Sequence, residues 1–173
     1  MPVESSAPPP EAAPLPRATR ACLPEGANVL LPLDKELVMK VIPMPADCNA
    51  NGDIFGGWVM AQADLAGAVL PARYVDGRMA TVAVNQFVFK HPVRVGDILS
   101  FFSSVTRIGT TSITVQVEVF AEHFNAQKRY MKVTEASVTY VAIDSAGRPR
   151  KIGLDAAEAG AAITAQAIAS APG

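Results

Sequence analysis

The chain has 173 residues, of which 50% are apolar and 18% charged, with a net charge of −1 at pH 7. This composition predicts one folded domain with a hydrophobic core, and it gives no electrostatic reason to bind nucleic acid or an anionic membrane. Two cysteines are too few for a disulfide framework, and no CxxC or Cys/His cluster indicates a metal site. We therefore expect a reduced, cytoplasmic setting and no metal ion.

The two ends of the chain differ in composition from the middle. Seven of the fourteen prolines fall within residues 1–24, which predicts a disordered Pro/Ala-rich tail over residues 1–27. The segment 153–173 is rich in alanine and reads as a second tail or a frayed helix. The folded domain is therefore predicted at 28–152. No apolar run reaches the roughly 18 residues of a membrane span.

The middle of the chain predicts one helix and five strands. A short strand at 36–42 is followed by a long helix at 56–74, and four β-rich runs follow at 79–90, 97–108, 111–123 and 129–144. The third run alternates apolar and polar residues, which is typical of a sheet with one covered face. Short, turn-rich links predict antiparallel meander neighbours. These elements indicate an α+β fold in which the helix covers one face of a long antiparallel sheet.

The predicted helix carries an unusual acid. On a 3.6-residue period, one stripe contains Gly57, Met60, Ala61, Asp64, Gly67, Ala68 and Pro71. If the stripe is buried, the carboxylate of Asp64 loses hydration, which is unfavourable unless something compensates it. Such an acid is either satisfied in the core, solvated at the margin of the stripe, or kept for chemistry. Gly67 in mid-helix predicts close packing, since glycine there is about 1 kcal/mol less favourable than alanine.

The start of the helix adds possible catalytic groups. Gly56 and Gly57 place unpaired backbone amides there, which can hold an oxyanion, and Asn49 lies in the preceding loop. Asp53 is expected to cap the helix. An oxyanion site with a desolvated acid is typical of acyl hydrolysis. Because seven residues separate Gly57 from Asp64, about 10 Å along a helix, we hypothesise a homodimer with two composite sites.

The segment "MPADCNANGDIFGGWVMAQADLAGAV", followed by "TVAVNQFVFKHPVRVGD" and "GTTSITVQVEVFAE", closely resembles the YciA-type branch of the hotdog-fold acyl-CoA thioesterases. The likeness runs from about Leu37 to Lys151. It implies a hotdog fold, with a long antiparallel β-sheet wrapped around one central α-helix. It also implies a double-hotdog dimer, often assembled further as a trimer of dimers, that hydrolyses acyl-CoA to a free fatty acid and coenzyme A without a cofactor.

The resemblance also implies roles for individual residues. Asp64 matches the catalytic acid, acting as general base or nucleophile, and Asn49 matches an asparagine contributed by the other subunit. Gly57 matches the helix-start amide that holds the thioester oxyanion, with Gly56 beside it as a substrate contact. The remaining implied substrate contacts are Asn85 at the pantetheine arm and, along the coenzyme A channel, Arg107, Gly109, Thr110, Thr111 and Ser112.

Two other functions are compatible with the same fold. A hydratase or dehydratase of acyl thioesters would need a histidine at the substrate carbon, but no histidine precedes the helix, and Asp47 is followed five residues later by Gly52. A non-catalytic acyl-CoA-sensing domain would lack the helix acid and typically carry a DNA-binding module. The sequence leaves open the acyl chain length and the choice between base and nucleophile for Asp64.

Overall fold

The computed structural model describes residues 29–123, 129–154 and 156–169. The strands are β1 (Glu36–Val41), β2 (Met79–Phe89), β3 (Asp97–Ile108), β4 (Ser112–His123) and β5 (Tyr130–Ala142), and the helices are α1 (Gly56–Ala68) and α2 (Ala156–Ala169). All five predicted strands are confirmed, with limits that agree within two residues. The tail predicted over 1–27 lies outside the described residues, and the Ala-rich segment predicted as a second tail contains α2.

The strands form one antiparallel sheet in the order β1-β3-β4-β5-β2. The meander prediction is confirmed for β3, β4 and β5, but it is wrong for β2, which pairs with β5 at the edge of the sheet. Residues 90–96 carry the chain from β2 to β3 across three strand spacings, about 14 Å. Seven extended residues reach roughly 23 Å, so the same short link serves a crossover as well as a hairpin.

The core lies between α1 and the sheet. Alternate residues of β4, from Ile113 to Ala121, are at most 1% exposed, as the period-2 pattern predicts. Helix α1 contacts β2, β3, β4 and β5, so the sheet curves around it. The helix presents small side chains to the sheet, including the fully buried Ala63 and Ala66, and these allow the helix to approach the strands closely. Each buried valine of β4 contributes about 1.5–3 kcal/mol.

Two predictions about the helix need correction. The α-helix ends at Ala68, and a 3-10 turn follows at Pro71–Arg73, because Pro71 has no N–H to continue the helical pattern. The stripe containing Asp64 also packs on the sheet only in its second half, from Gly67. The buried helix residues are Val59, Ala63, Ala66 and Gly67, whereas Gly57, Met60 and Ala61 are exposed and Asp64 is half-buried at the margin.

An ion-pair network crosses the sheet between its two edges. Glu118 of β4 lies directly opposite Glu135 of β5, and Lys132 bridges the two carboxylates at 2.8 and 2.6 Å. Lys35 contacts Glu118 at 2.8 Å, and Lys90 contacts Glu135 at 3.0 Å. Burial raises the pKa of Glu118, but hydrogen bonds from Lys132 and Lys35 outweigh this effect and hold the pKa below its usual value.

We expect Glu118→Gln to lower the free energy of unfolding by about 1 kcal/mol at neutral pH, which is the upper end of the values for exposed ion pairs. Because its pKa is lower in the folded state, the Glu118 carboxylate stabilises the fold at every pH above the ordinary carboxyl pKa. This contribution is lost as the pH falls through the folded-state pKa. Denaturant titrations at pH 7 and at a pH below the folded-state pKa should therefore show a difference between the variant and the wild type only at pH 7. Glu122→Gln is the matched control, since Glu122 lies on the same strand with no ion pair among the described residues. An equal loss at both pH values would contradict the electrostatic origin.

Candidate active site

The loop before α1 is organised by the side chain of Asn49. Its Oδ1 accepts hydrogen bonds from the backbone amides of Asn51 at 2.8 Å and Asp53 at 3.3 Å. Its own backbone amide donates to the carbonyl of Asp53 at 2.7 Å. The side-chain nitrogen of Asn49 has no partner among the described residues, and the residue is half-buried. Asn49 therefore holds the loop with its oxygen and keeps an amide donor available.

The first turn of α1 has free backbone donors. The helix begins at Gly56 without a side-chain cap, so the prediction that Asp53 caps it is wrong. The first amides bonded to the Phe55 carbonyl are those of Trp58 and Val59, and the amides of Gly56 and Gly57 have no acceptor in the described part of the chain. A Cβ at Gly57 would meet nothing within 4 Å. These two amides, at the positive end of the helix dipole, can therefore bind an anionic oxygen.

A cleft of about 360 Å³ brings part of the predicted site together. Asn49 and Gly56 both line it, beside Asp53. The other lining residues are Ile54, Val59, Phe89, Lys90, His91, Pro92 and Val93. The cleft is thus lined by both apolar and polar residues. Asp64 is not among its lining residues, so a single protomer does not bring the candidate acid to the helix start.

Asp64 is held by two hydroxyl groups from the sheet. Thr81 donates a hydrogen bond to Oδ1 at 2.8 Å. The Tyr140 hydroxyl donates to the main-chain carbonyl of Asp64 at 2.7 Å and lies 3.3 Å from Oδ1. Thr81 and Tyr140 are direct cross-strand neighbours on β2 and β5. Oδ2 has no hydrogen-bond partner among the described residues, so one oxygen is fixed and the other is free to react.

Burial, followed by the neighbouring Asp64 carboxylate, raises the pKa of Tyr140. The hydroxyl therefore remains a protonated donor at neutral pH. Gly67 permits this arrangement, because a Cβ there would overlap the Tyr140 hydroxyl. The predicted close packing at Gly67 is confirmed. Thr81 and Tyr140 were not predicted from the sequence, and Gly67 is the signal that could have indicated a close neighbour.

Four of the five residues predicted along the coenzyme A channel lie at the hairpin turn between β3 and β4, namely Gly109, Thr110, Thr111 and Ser112. Gly109 donates to the carbonyl of Ser112 at 2.7 Å, and the carbonyls of Thr110 and Thr111 accept bonds from Ile152 and Ala142, each at 2.9 Å. The turn is thereby fastened to the end of the domain. Gly109 and Thr110 line a second cleft of about 400 Å³, together with Ile108, Lys151, Gly153, Leu154 and Ala159.

Two other predicted substrate contacts lie outside both clefts. Arg107 is exposed near the end of β3, and its guanidinium has no partner in the described ranges. Asn85 is exposed on β2, at an irregularity in the pairing with β5 where Gln86 has a φ of 52°. The described residues include no group of three or more His, Cys, Asp or Glu side chains arranged to hold a metal ion. No helix among them is long and apolar enough to cross a membrane.

Comparisons with known proteins identify the family. Residues 51–124 match the family model of the thioesterase superfamily. The acyl-CoA thioester hydrolase YciA of Salmonella typhimurium is 45% identical over 120 residues, which cover 68% of this chain and 90% of that protein. The protein of the same name from Escherichia coli strain K12 is 43% identical over 120 residues, again 68% of this chain and 90% of that protein.

Solved structures give the same result. The hexameric thioesterase y2039 from Yersinia pestis has a TM-score of 0.66 and 42% identity, covering 72% of this chain and all of that one. HI0827, described as a hexameric broad-specificity acyl-coenzyme A thioesterase, has a TM-score of 0.66 and 37% identity, covering 75% of this chain and 88% of that one. The predicted hotdog fold is therefore confirmed. The chain belongs to the thioesterase superfamily, in its YciA-type branch of hotdog-fold acyl-CoA thioesterases.

Proposed function

We propose that this protein hydrolyses acyl-CoA thioesters to a free fatty acid and coenzyme A. The observation that carries the proposal is the half-buried carboxylate of Asp64, whose Oδ1 is held by Thr81 while Oδ2 has no partner among the described residues. A fixed carboxylate with one free oxygen is suited to accept a proton from water or to attack a carbonyl carbon. The activity named for the YciA relatives supports the same reaction.

In the proposed reaction, water attacks the thioester carbonyl carbon and transfers its proton to Oδ2 of Asp64. Alternatively, Oδ2 itself attacks, and water then hydrolyses the resulting mixed anhydride. In either route the carbonyl oxygen becomes an oxyanion, which accepts hydrogen bonds from the free amides of Gly57 and Gly56. The C–S bond then breaks, and the coenzyme A thiolate leaves and is protonated. The reaction requires no redox cofactor or metal ion.

We infer that each site is shared between two chains. Asn49 and Gly56 line one cleft of the protomer, and Asp64 lies about two turns further along α1, too far for one reacting carbonyl to contact both ends of the helix. Residues of α1 that point away from the sheet, including Met60 and Leu65, are exposed, as are apolar residues of the edge strand β2. These surfaces suit a two-fold homodimer that places Asn49 and Gly57 of one chain near Asp64 of the other.

The hexameric relatives support a further assembly as a trimer of such dimers. A cytoplasmic location and the domain limits at 28–152 remain predictions.

We expect the cleft beside the hairpin turn to hold the phosphates of coenzyme A. Lys151 lines this cleft and Arg107 lies two residues before Gly109, so both cations are near the turn. Replacing both by glutamine should raise KM for an acyl-CoA about tenfold, because charge-assisted bonds to phosphate are lost. KM for the same acyl group on pantetheine, which lacks the nucleotide, should change little.

Lys40→Gln is the control for this prediction, since Lys40 is an exposed lysine of β1 outside the cleft. An equal rise of KM for acyl-CoA and acyl-pantetheine would contradict phosphate binding at the turn.

The proposed function is tested by measuring thiol release, with a disulfide dye, from acyl-CoAs whose acyl chains have about 2–16 carbons. We expect release from at least one chain length, and the profile of kcat/KM would define the acyl class. Binding of acyl-CoA without thiol release would favour the sensing function. Loss of enoyl-CoA absorbance without thiol release would favour hydration.

A further inference from the structure

Tyr140 makes a contact with α1 that ordinary packing does not require. The residue is 3% exposed, and its hydroxyl reaches the main-chain carbonyl of Asp64 at 2.7 Å. In an α-helix this carbonyl already accepts a hydrogen bond from the amide four residues later. The hydroxyl therefore adds a second donor to a group that the helix itself satisfies.

Gly67 allows the Tyr140 hydroxyl to approach the helix. Glycine in mid-helix is less favourable than alanine, yet a Cβ at this position would overlap the Tyr140 hydroxyl and would lie 3.2 Å from Cγ2 of Val117. The helix thus keeps an unfavourable residue where the hydroxyl approaches it. We call this contact the Gly67 notch: the gap left by the missing Cβ of Gly67 together with the Tyr140 hydroxyl that fills it.

The notch acts on the residue that matters for the proposed reaction. Tyr140 holds the backbone of Asp64 and lies 3.3 Å from Oδ1, while its cross-strand neighbour Thr81 donates to Oδ1 at 2.8 Å. Fixing the backbone and one carboxylate oxygen together restricts the side-chain torsions of Asp64 and leaves Oδ2 in a defined direction. Displacement of a reacting group by about 1 Å can lower a rate about a hundredfold.

We infer that Tyr140 is a positioning residue, which sets the orientation of the Asp64 carboxylate through the Gly67 notch. The inference rests on the proposed function. It predicts that loss of the hydroxyl impairs the chemical step and leaves substrate binding unchanged, because Tyr140 lies beneath the helix and lines neither cleft.

The first test is Tyr140→Phe, which keeps the ring and removes the hydroxyl. We expect kcat for thiol release to fall about tenfold with KM unchanged, since a displaced reacting group slows chemistry more than binding. Val138→Ala is the matched control, because Val138 lies two residues away on the same buried face of β5. It should lower the melting temperature at least as much while kcat stays the same. An unchanged kcat in Tyr140→Phe would overturn the inference.

A double-mutant cycle shows whether Tyr140 acts through Asp64. In an Asp64→Asn background, Tyr140→Phe should lower the residual kcat by less than twofold. The same tenfold loss in both backgrounds would overturn the inference, because Tyr140 would then act independently of Asp64. If the wild type releases no thiol from any acyl-CoA, the proposed function fails as well. A hydrolytic wild type with a fully active Tyr140→Phe variant contradicts only the positioning role.

The notch itself is tested by Gly67→Ala. In the wild type this change should lower both kcat and the melting temperature, because the new methyl group displaces the Tyr140 hydroxyl. In the Tyr140→Phe background the methyl group occupies space that the hydroxyl has vacated, so the melting temperature should fall less. Equal losses of melting temperature in both backgrounds would contradict the notch.

Discussion

Replacing Asp64 by asparagine is expected to lower kcat for thioester hydrolysis by about 10²–10⁴-fold. Asparagine can keep its oxygen at the position of Oδ1, where it still accepts the hydrogen bonds of Thr81 and Tyr140. The NH₂ group then replaces Oδ2, and it can neither accept a proton nor attack a carbonyl carbon. The loss should therefore be chemical, with an unchanged melting temperature, as measured by thiol release at saturating acyl-CoA and by thermal unfolding.

The control for this prediction is Asp76→Asn, which removes an exposed carboxylate from the loop after α1 and should leave kcat unchanged. Binding of the acyl-CoA substrate to Asp64→Asn should also persist, since the clefts beside Asn49 and Lys151 are intact. A variant as active as the wild type would mean that Asp64 is a structural acid held by two hydroxyls, and the proposed mechanism would be wrong.

The strands were predictable from the sequence because their signal is local. In β4, the alternation from Ile113 to Ala121 reflects one buried face, and burial follows it residue by residue. The position of β2 was not predictable in the same way. Residues 90–96 are long enough both for a hairpin and for a crossover, and only pairing with β5 decides between them. Strand limits are thus local properties, whereas strand order depends on contacts distant in sequence.

The orientation of α1 could not be read from periodicity, for a physical reason. The helix is apolar or small on both sides: Ala63 and Ala66 face the sheet, while Met60 and Leu65 are exposed. A surface that packs on a partner chain has the same composition as one that packs on its own sheet. Periodicity places the exposed Met60 and the buried Gly67 in one stripe with Asp64, and it does not show which part of that stripe packs on the sheet.

The candidate site likewise contains residues that a local motif indicates and residues that only the strand pairing brings together. Asn49, Gly57 and Asp64 lie within one short segment, and their motif made them candidates from the sequence alone. Thr81 and Tyr140 contact Asp64 from positions 17 and 76 residues away, and their role depends on the register that pairs them across β2 and β5. The sequence provides only the local consequence of that register, an unexpected glycine at position 67.

Co-expression of two impaired variants should restore activity if the proposed site is shared between chains. Asn49→Asp removes the side-chain donor but keeps an oxygen to accept the amides of Asn51 and Asp53, so the loop should stay folded. Alone, Asn49→Asp and Asp64→Asn should each lose at least about tenfold in kcat. Co-expressed in equal amounts, they should regain about a quarter of wild-type activity, measured by thiol release from the purified mixture.

The value of about a quarter follows from the symmetry of the dimer. Random pairing makes about half of the dimers mixed, and in each mixed dimer one site carries both substitutions while the other combines Asp64 and Asn49 from unaltered positions of the two chains. Two different affinity tags allow the mixed dimers to be isolated, and these should reach about half of wild-type activity. If each site instead lay within one chain, every site in a mixed dimer would carry one substitution, and activity would stay at the level of the separate variants. Restoration therefore distinguishes a composite site from an intrachain site without requiring either variant to be fully inactive.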